Sequence, residues 1–304
     1  MTLLTLLQTS LWTLTACVFL LSLLIGSFLN VVIHRLPIML DRQWRRHAEE
    51  ALGEPGSPAE AAPAPLEPFN LLVPRSRCPK CHAEIRAHQN IPLISYALLG
   101  GACASCRAPI SPRYPAVELG TALLSAAVAW HFGWQWLTLG ALGLTWALVA
   151  LSAIDLDHQL LPDAITLPLL WGGLLFSLVP HGEQWSGLPP DPQSAIIGAA
   201  AGYLSLWAVF WAFKLLTGKE GMGYGDFKLF GALGAWMGWQ MLPLIILLAA
   251  FTGAAIGIAL IVVRGRDRNV PIPFGPYLAA AGWIALMWGP GLLGGYLRLT
   301  GLEQ

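Results

Sequence analysis

The side chains best placed to do chemistry are two groups of aspartates and two pairs of cysteines. Gly221-Met-Gly-Tyr-Gly-Asp226-Phe-Lys228 puts one carboxylate behind a run of glycines, at the mouth of a stretch (229–263) that carries no charged residue. Asp155-Leu-Asp157-His-Gln-Leu-Leu-Pro-Asp163 puts further carboxylates at the end of another uncharged run, 119–154. An acid at a membrane boundary is expensive to desolvate and is a functional candidate by default. Two aspartates brought together do not both ionise comfortably, so one holds a proton while the other stays charged. Such a pair is an acid and a base in one site, able to activate water against a peptide carbonyl without a metal or a covalent intermediate.

Each acid also has a structural reading. Asp163 is placed to cap a helix starting near Ala164, Asp157 to sit as a solvated loop charge, and Asp226 to favour a helix N-terminus. Asp155 fits such a reading least, because it continues Leu151-Ser-Ala-Ile154 at a helix end, where the macrodipole disfavours an acid. The three glycines before Asp226 are expected to permit close backbone approach and unusual torsions, leaving room for an extended peptide. Lys214, Lys219 and Lys228 read as topology determinants.

Cys78-Pro-Lys-Cys81 and Cys103-Ala-Ser-Cys106 are separated by 21 residues. Two such pairs supply four soft thiolates for a structural zinc ion, with no open position for catalysis. Disulfides are disfavoured in the reducing compartment to which the loop is assigned below. Cys78-Pro-Lys-Cys81-His82 matches a haem-attachment pattern, which leaves the second pair unexplained. Cys17, within an apolar run, reads as a packing residue.

The elements that must position these groups are helices in a bilayer. With 56% hydrophobic and 11% charged residues among 304, the chain is too apolar for a soluble domain, in which roughly a quarter of residues are charged. Uncharged runs cover 1–33, 119–154, 164–182, 192–213, 229–263 and 269–297. As one helix the 119–154 run would reach roughly 54 Å, too long for one crossing. It divides at His131-Phe-Gly133-Trp-Gln-Trp136, and the 229–263 run divides at Gly238-Trp-Gln-Met-Leu-Pro243 into a short helix and a longer one. The fold class is therefore an all-α polytopic membrane protein of about eight transmembrane helices, with one cytoplasmic insertion between the first and second.

Orientation follows from the basic residues, which favour short cytoplasmic loops. Loops 35–113, 155–163, 214–228 and 264–274 hold 16 of the 17 Lys and Arg residues, and only Arg298 falls on the other side. Both termini then face outward and both acidic clusters face the cytoplasm. The domain reading is residues 1–35 as the first transmembrane helix, 36–113 as the insertion with the four-cysteine zinc site, and 114–304 as a core of about seven helices. Within the insertion, a basic amphipathic stretch from Asp41 leads into a Pro-, Ala- and Glu-rich segment (54–68) that reads as a flexible linker. The N-terminus lacks the basic flank of a secretory signal, so the first helix is expected to be retained. No internal repeat is visible, and a net charge of zero gives no support to nucleic-acid binding. Paired acids and a zinc module would equally serve a transporter or an assembly scaffold with an ion relay.

The ordered motifs resemble a known family, the type IV prepilin leader peptidase/N-methyltransferases, bacterial aspartic peptidases of the GxGD type. The resemblance rests on Gly26-Ser-Phe-Leu-Asn-Val-Val-Ile-His-Arg-Leu-Pro37, both cysteine pairs, Asn90-Ile-Pro-Leu-Ile-Ser-Tyr96, Arg113-Tyr-Pro-Ala-Val-Glu118, Ile154 to Asp163, Gly221 to Lys228, and Pro273-Phe-Gly-Pro276. It implies an inner-membrane enzyme that removes the leader of prepilins and pseudopilins on the cytoplasmic side. It then methylates the new N-terminal residue, usually phenylalanine, with S-adenosylmethionine. It selects Asp155 and Asp226 as the catalytic pair, assigns structural zinc to Cys78, Cys81, Cys103 and Cys106, and points to the insertion, with Gly101, for the methyl donor.

Overall fold

The computed structural model describes residues 2–52, 69–179, 188–219, 221–264 and 272–300. Ten α-helices occupy them: α1 (Leu3–Thr9), α2 (Leu11–Leu52), α3 (Ile94–Leu98), α4 (Arg113–Phe132), α5 (Trp136–His158), α6 (Asp163–Phe176), α7 (Pro192–Thr217), α8 (Tyr224–Met237), α9 (Leu242–Arg264) and α10 (Gly275–Thr300). No strand occurs among the described residues, only the isolated bridges Arg77 to Glu84 and Ala102 to Pro109. The linker 54–68 and much of the outward turn after residue 180 lie outside the described residues.

Helix limits follow local chemistry. The Asp191 side chain accepts from the Ser194 N–H at 3.0 Å and Pro192 opens α7, while Gly218 closes it at φ 70°. This is the Asx-cap, N1-proline and left-handed-glycine pattern that satisfies orphaned helix-end groups. The two long apolar runs divide where the sequence places their turns, between α4 and α5 and between α8 and α9.

Among the described residues, five helical stretches are long and apolar enough to cross a bilayer: Leu11–Ala48, Trp136–His158, Pro192–Thr217, Trp239–Val263 and Gly275–Gly295. The chain is thus an all-α multi-pass membrane protein, but length and apolarity alone do not reach a count of eight. Two of the remaining helices, α6 and α8, have 14 residues each. At 1.5 Å per residue that is roughly 21 Å, short of a hydrocarbon core of about 30 Å.

The chain forms two compact units, residues 1–15 with 127–304, and residues 16–126. In the larger unit α8 is the most enclosed helix, with 11 of its 14 residues buried. It meets α7 through small residues: a Cβ on either Gly198 or Gly234 would overlap the backbone of the other, and one on Gly202 would lie 2.6 Å from the Phe230 carbonyl. Such close backbone approach is the usual means of joining helices in lipid, where burial from water gives no driving force. On the α6 side the Trp236 indole N–H donates to the Leu169 carbonyl at 2.8 Å, and the Trp236 ring stacks on Phe176 at 5.4 Å.

In the smaller unit the amphipathic basic stretch expected after the first span is no separate element. The helix runs through Pro37 to Leu52 without a break. Arg35, read as a topology residue, is buried. It donates to the Asn70 carbonyl at 2.9 Å and the Pro74 carbonyl at 2.6 Å. Phe69 lies under the guanidinium groups of both Arg35 and Arg42, 5.7 and 4.3 Å from the ring centre, so cation–π contact adds to these bonds.

Candidate active site and metal centre

Asp155 occupies the last turn of α5, which ends when Gln159 turns left-handed at φ 51° and donates its N–H to the Asp155 carbonyl. Its side chain is only 5% exposed, and its Oδ2 accepts from the Gly275 N–H at 3.0 Å. Gly275 opens α10, so an unpaired amide at a helix N-terminus faces an acid. This explains the Pro273-Phe-Gly-Pro276 motif, to which the sequence alone attaches no role. A Cβ on Gly275 would lie 2.7 Å from Asp155 Oδ2 and 3.1 Å from Leu161 Cδ2.

Asp226 lies in the first turn of α8, 7% exposed, three residues after the cap Gly223, whose carbonyl accepts from the Asp226 N–H at 3.2 Å. As the sequence suggests, Asp226 stands at a helix N-terminus, where the macrodipole favours an acid. Leu161 joins the two acids. A Cβ on Gly225, the residue before Asp226, would lie 2.7 Å from Leu161 Cβ, while Leu161 Cδ2 packs against Gly275 on the Asp155 side. The ends of α5, α8 and α10 thus converge on one leucine.

The glycines before Asp226 differ from expectation. None has a positive φ, and Gly223 is ordinary extended backbone at φ −81° and ψ 148°. Gly221 is needed against the Phe213 ring, 2.9 Å from a would-be Cβ, and Gly225 against Leu161. Only Gly223, with nothing nearer than 3.7 Å, leaves room beside the acid. The other acids separate from the pair: Asp157 is exposed, and Asp163 at the first position of α6 makes no cap hydrogen bond. Both Asp163 oxygens accept instead from Lys228 Nζ, at 2.6 and 2.7 Å. Lys228 is therefore an ion-pair partner across 65 residues, in addition to any topological role.

The four cysteines come together. Their Sγ atoms all lie within 4.8 Å of one another, with Cys78 and Cys106 at 3.8 Å. Each pair is held in the same backbone frame. Cys78 N–H donates to Ala83, His82 N–H to Cys78 and Ile85 N–H to Ser76; Cys103 N–H donates to Ala108, Arg107 N–H to Cys103 and Ile110 N–H to Gly101. His82 and Arg107 take matching left-handed torsions, φ 56° and 59°. The two knuckles are thus one structural repeat, which the sequence carries only as Cys-x-x-Cys-x-Ala-x-Ile in both copies. Backbone N–H groups of Cys81 and Lys80 pull the Cys78 thiol down to about 6, and those of Cys106 and Ser105 lower Cys103. The Ala83 N–H favours ionisation of Cys81 too, but the Cys106 thiol, desolvation and the other two sulfurs push it up to about 11. Sulfurs this close accept full ionisation only around a cation.

Gly101 closes the second knuckle at φ 69°, and a Cβ there would meet the Tyr96 hydroxyl at 3.0 Å. Its glycine identity is thus explained by the fold. Sequence reasoning missed Glu118, a buried carboxylate whose Oε2 accepts from the left-handed Leu93 N–H at 3.0 Å while Gly26 packs on its Cα. With Asn30 Nδ2 donating to the Tyr114 carbonyl at 3.0 Å, it ties three of the quoted motifs together. The available signal was its place as the last charge before the 119–154 run.

Known proteins resemble this chain along most of its length. The Bacterial Peptidase A24 N-terminal domain model matches residues 20–132, and the Type IV leader peptidase family model matches residues 142–258. The chain is 55% identical over 287 residues to the prepilin leader peptidase/N-methyltransferase of Pseudomonas aeruginosa, covering 94% of each chain. It is 57% identical over 293 residues to that of Aeromonas hydrophila, again 94% of each, and 50% identical over 264 residues to that of Neisseria gonorrhoeae, 87% of each. No solved structure matches the chain significantly. Identity of this extent, over nearly the whole length and across both domain models, makes this chain a member of the prepilin leader peptidase/N-methyltransferase family.

Proposed function

We propose that this protein cleaves the leader peptide of type IV prepilins and pseudopilins at Asp155 and Asp226, on the cytoplasmic face of the bacterial inner membrane. It then methylates the new N-terminal residue, usually phenylalanine, with S-adenosylmethionine as donor. The observation that carries the cleavage reading is the convergence of two buried carboxylates from different helix ends on Leu161, with one fixed by the Gly275 amide. A solvated loop charge needs neither burial nor such a partner.

In this reading the pair holds one proton. The ionised member takes a proton from water as its oxygen attacks the scissile carbonyl, while the protonated member donates to the carbonyl oxygen. Collapse of the tetrahedral intermediate breaks the C–N bond, and the proton gained from water goes to the departing amine. The Gly275 amide holds Asp155 in one orientation throughout, and the open face at Gly223 admits the substrate backbone beside Asp226. A substrate with an apolar helix behind its junction would lie among the spans with the junction at the carboxylates. The lipid bilayer is the implied surround, and nothing in the chain points to nucleic acid.

The four thiolates fit zinc. A tetrahedron with Zn–S bonds of about 2.3 Å has edges of about 3.8 Å, matching the 3.8 Å between Cys78 and Cys106. Zinc bound by Cys78, Cys81, Cys103 and Cys106 would crosslink the two knuckles and leave no open coordination position. Residues 1–35, 36–113 and 114–304 then serve as first helix, metal-stapled insertion and peptidase core. Placement of the methyl donor at Gly101 rests on resemblance alone, since knuckle geometry already accounts for that glycine.

Purified enzyme incubated with a prepilin, with and without S-adenosylmethionine, and read by product mass separates cleavage from methylation. Asp155→Asn and Asp226→Asn should each abolish cleavage while the protein remains folded in membranes. Full cleavage by either variant rules out the pair.

A further inference from the structure

The Asp163–Lys228 ion pair belongs to neither the carboxylate pair nor the metal centre, yet it sits at the junction that brings the two acids together. From Asp155 the chain leaves α5 at the left-handed Gln159, passes Leu161 and enters α6 at Asp163. On the facing element Gly225, Asp226 and Lys228 follow one another along the start of α8. The two segments touch twice, on either side of Asp226. Leu161 packs on Gly225, where a Cβ would come within 2.7 Å, and both oxygens of Asp163 accept from Lys228 Nζ at 2.6 and 2.7 Å. A single apolar contact leaves a helix free to rock about it, and a second, ionic contact two residues beyond the acid removes that freedom.

We propose that Asp163 and Lys228 are positioning residues, a clamp that fixes the first turn of α8 to the α5–α6 connection and so sets Asp226 against Asp155. This rests on the assignment of those two aspartates as the reacting pair. The ion-pair side chains are 55% and 27% exposed, respectively. A pair so exposed adds little to global stability, so its bidentate geometry is better spent on orientation. Carboxylates that must share a proton and a water tolerate little displacement, since a misplacement of about 1 Å costs on the order of 100-fold in rate.

The test is steady-state prepilin cleavage by the full-length enzyme, with KM, kcat and thermal midpoint measured for each variant. Lys228→Met and Asp163→Asn should each lower kcat by ten- to a hundredfold, on the order set by such misplacement, with KM and midpoint unchanged. Lys228→Arg should restore most of the rate. The double variant Asp163→Lys with Lys228→Asp should outperform either single reversal, a rescue that loss of generic packing does not give. Wild-type kcat in Lys228→Met, a matching fall in thermal midpoint, or a double reversal no better than the singles would each overturn the clamp alone. Cleavage by Asp226→Asn in the same assay would overturn the aspartate assignment and the clamp with it.

Discussion

The sharpest quantitative consequence of the site lies at Gly275, a residue with no reacting group. Gly275→Ala keeps the backbone N–H that bonds Asp155, so its effect is steric. The new Cβ would stand 2.7 Å from Asp155 Oδ2, and an ordinary contact of 3.4 Å requires the carboxylate to retreat by about 0.7 Å. The nearby Leu161 Cδ2, at 3.1 Å, is the end of a flexible side chain and yields more easily. If about 1 Å of misplacement costs on the order of 100-fold, a retreat of about 0.7 Å costs roughly 25-fold in kcat, or ~2 kcal/mol of transition-state stabilisation. Alanine is the better helix former, so the fold should not weaken. The assay is the initial rate of prepilin cleavage by purified enzyme, with product identified by mass and thermal midpoint measured in parallel. Gly143→Ala, on the same helix as Asp155 with nothing within 4 Å of its Cβ, serves as the control and should match wild type. A Gly275→Ala enzyme cleaving at the wild-type rate would refute the claim that this close approach sets the Asp155 carboxylate.

Other consequences follow from the same geometry. Asp155→Asn and Asp226→Asn should be inactive in cleavage yet retain wild-type metal content, because the acids and the thiolates serve different sites; loss of metal in either would contradict that separation. Purified wild-type protein should carry about one zinc per chain, and Cys78→Ser with Cys81→Ser should remove it; elemental analysis showing unchanged metal would sink the four-thiolate assignment. Gly234→Val should destabilise the fold by about 1–3 kcal/mol or more through overpacking against Gly198, and an unchanged thermal midpoint in detergent would show that the two helices separate without cost.

The sequence made the candidate chemistry unusually legible. Cys-x-x-Cys spacing depends on local backbone geometry, so four cysteines within one insertion stood out as a candidate metal centre without a fold. The aspartates stood out because charge is rare at the edge of an apolar run, where every carboxylate needs a reason. The turns at Gly133 and Gly238 were readable because an uncharged helix of 35 residues exceeds any bilayer. The knuckle repeat escaped notice because it resides in backbone hydrogen bonds and only four shared side-chain positions. The close approach at Gly221 and Gly225 was legible but its partners were not, because a sequence shows that a Cβ is missing and not what occupies its place, here Phe213 and Leu161.

What the sequence determined by itself was therefore membrane class and the acids and thiolates available for chemistry, while the family resemblance supplied Asp155 and Asp226 as the pair proposed above. Tertiary structure alone decided that Gly275 donates to Asp155 across 120 residues, that Leu161 packs on both Gly225 and Gly275, and that Lys228 belongs to Asp163. Spacing along the chain governs local motifs. Contacts between the ends of different helices depend on how α5, α6, α8 and α10 pack, and no local pattern carries that information.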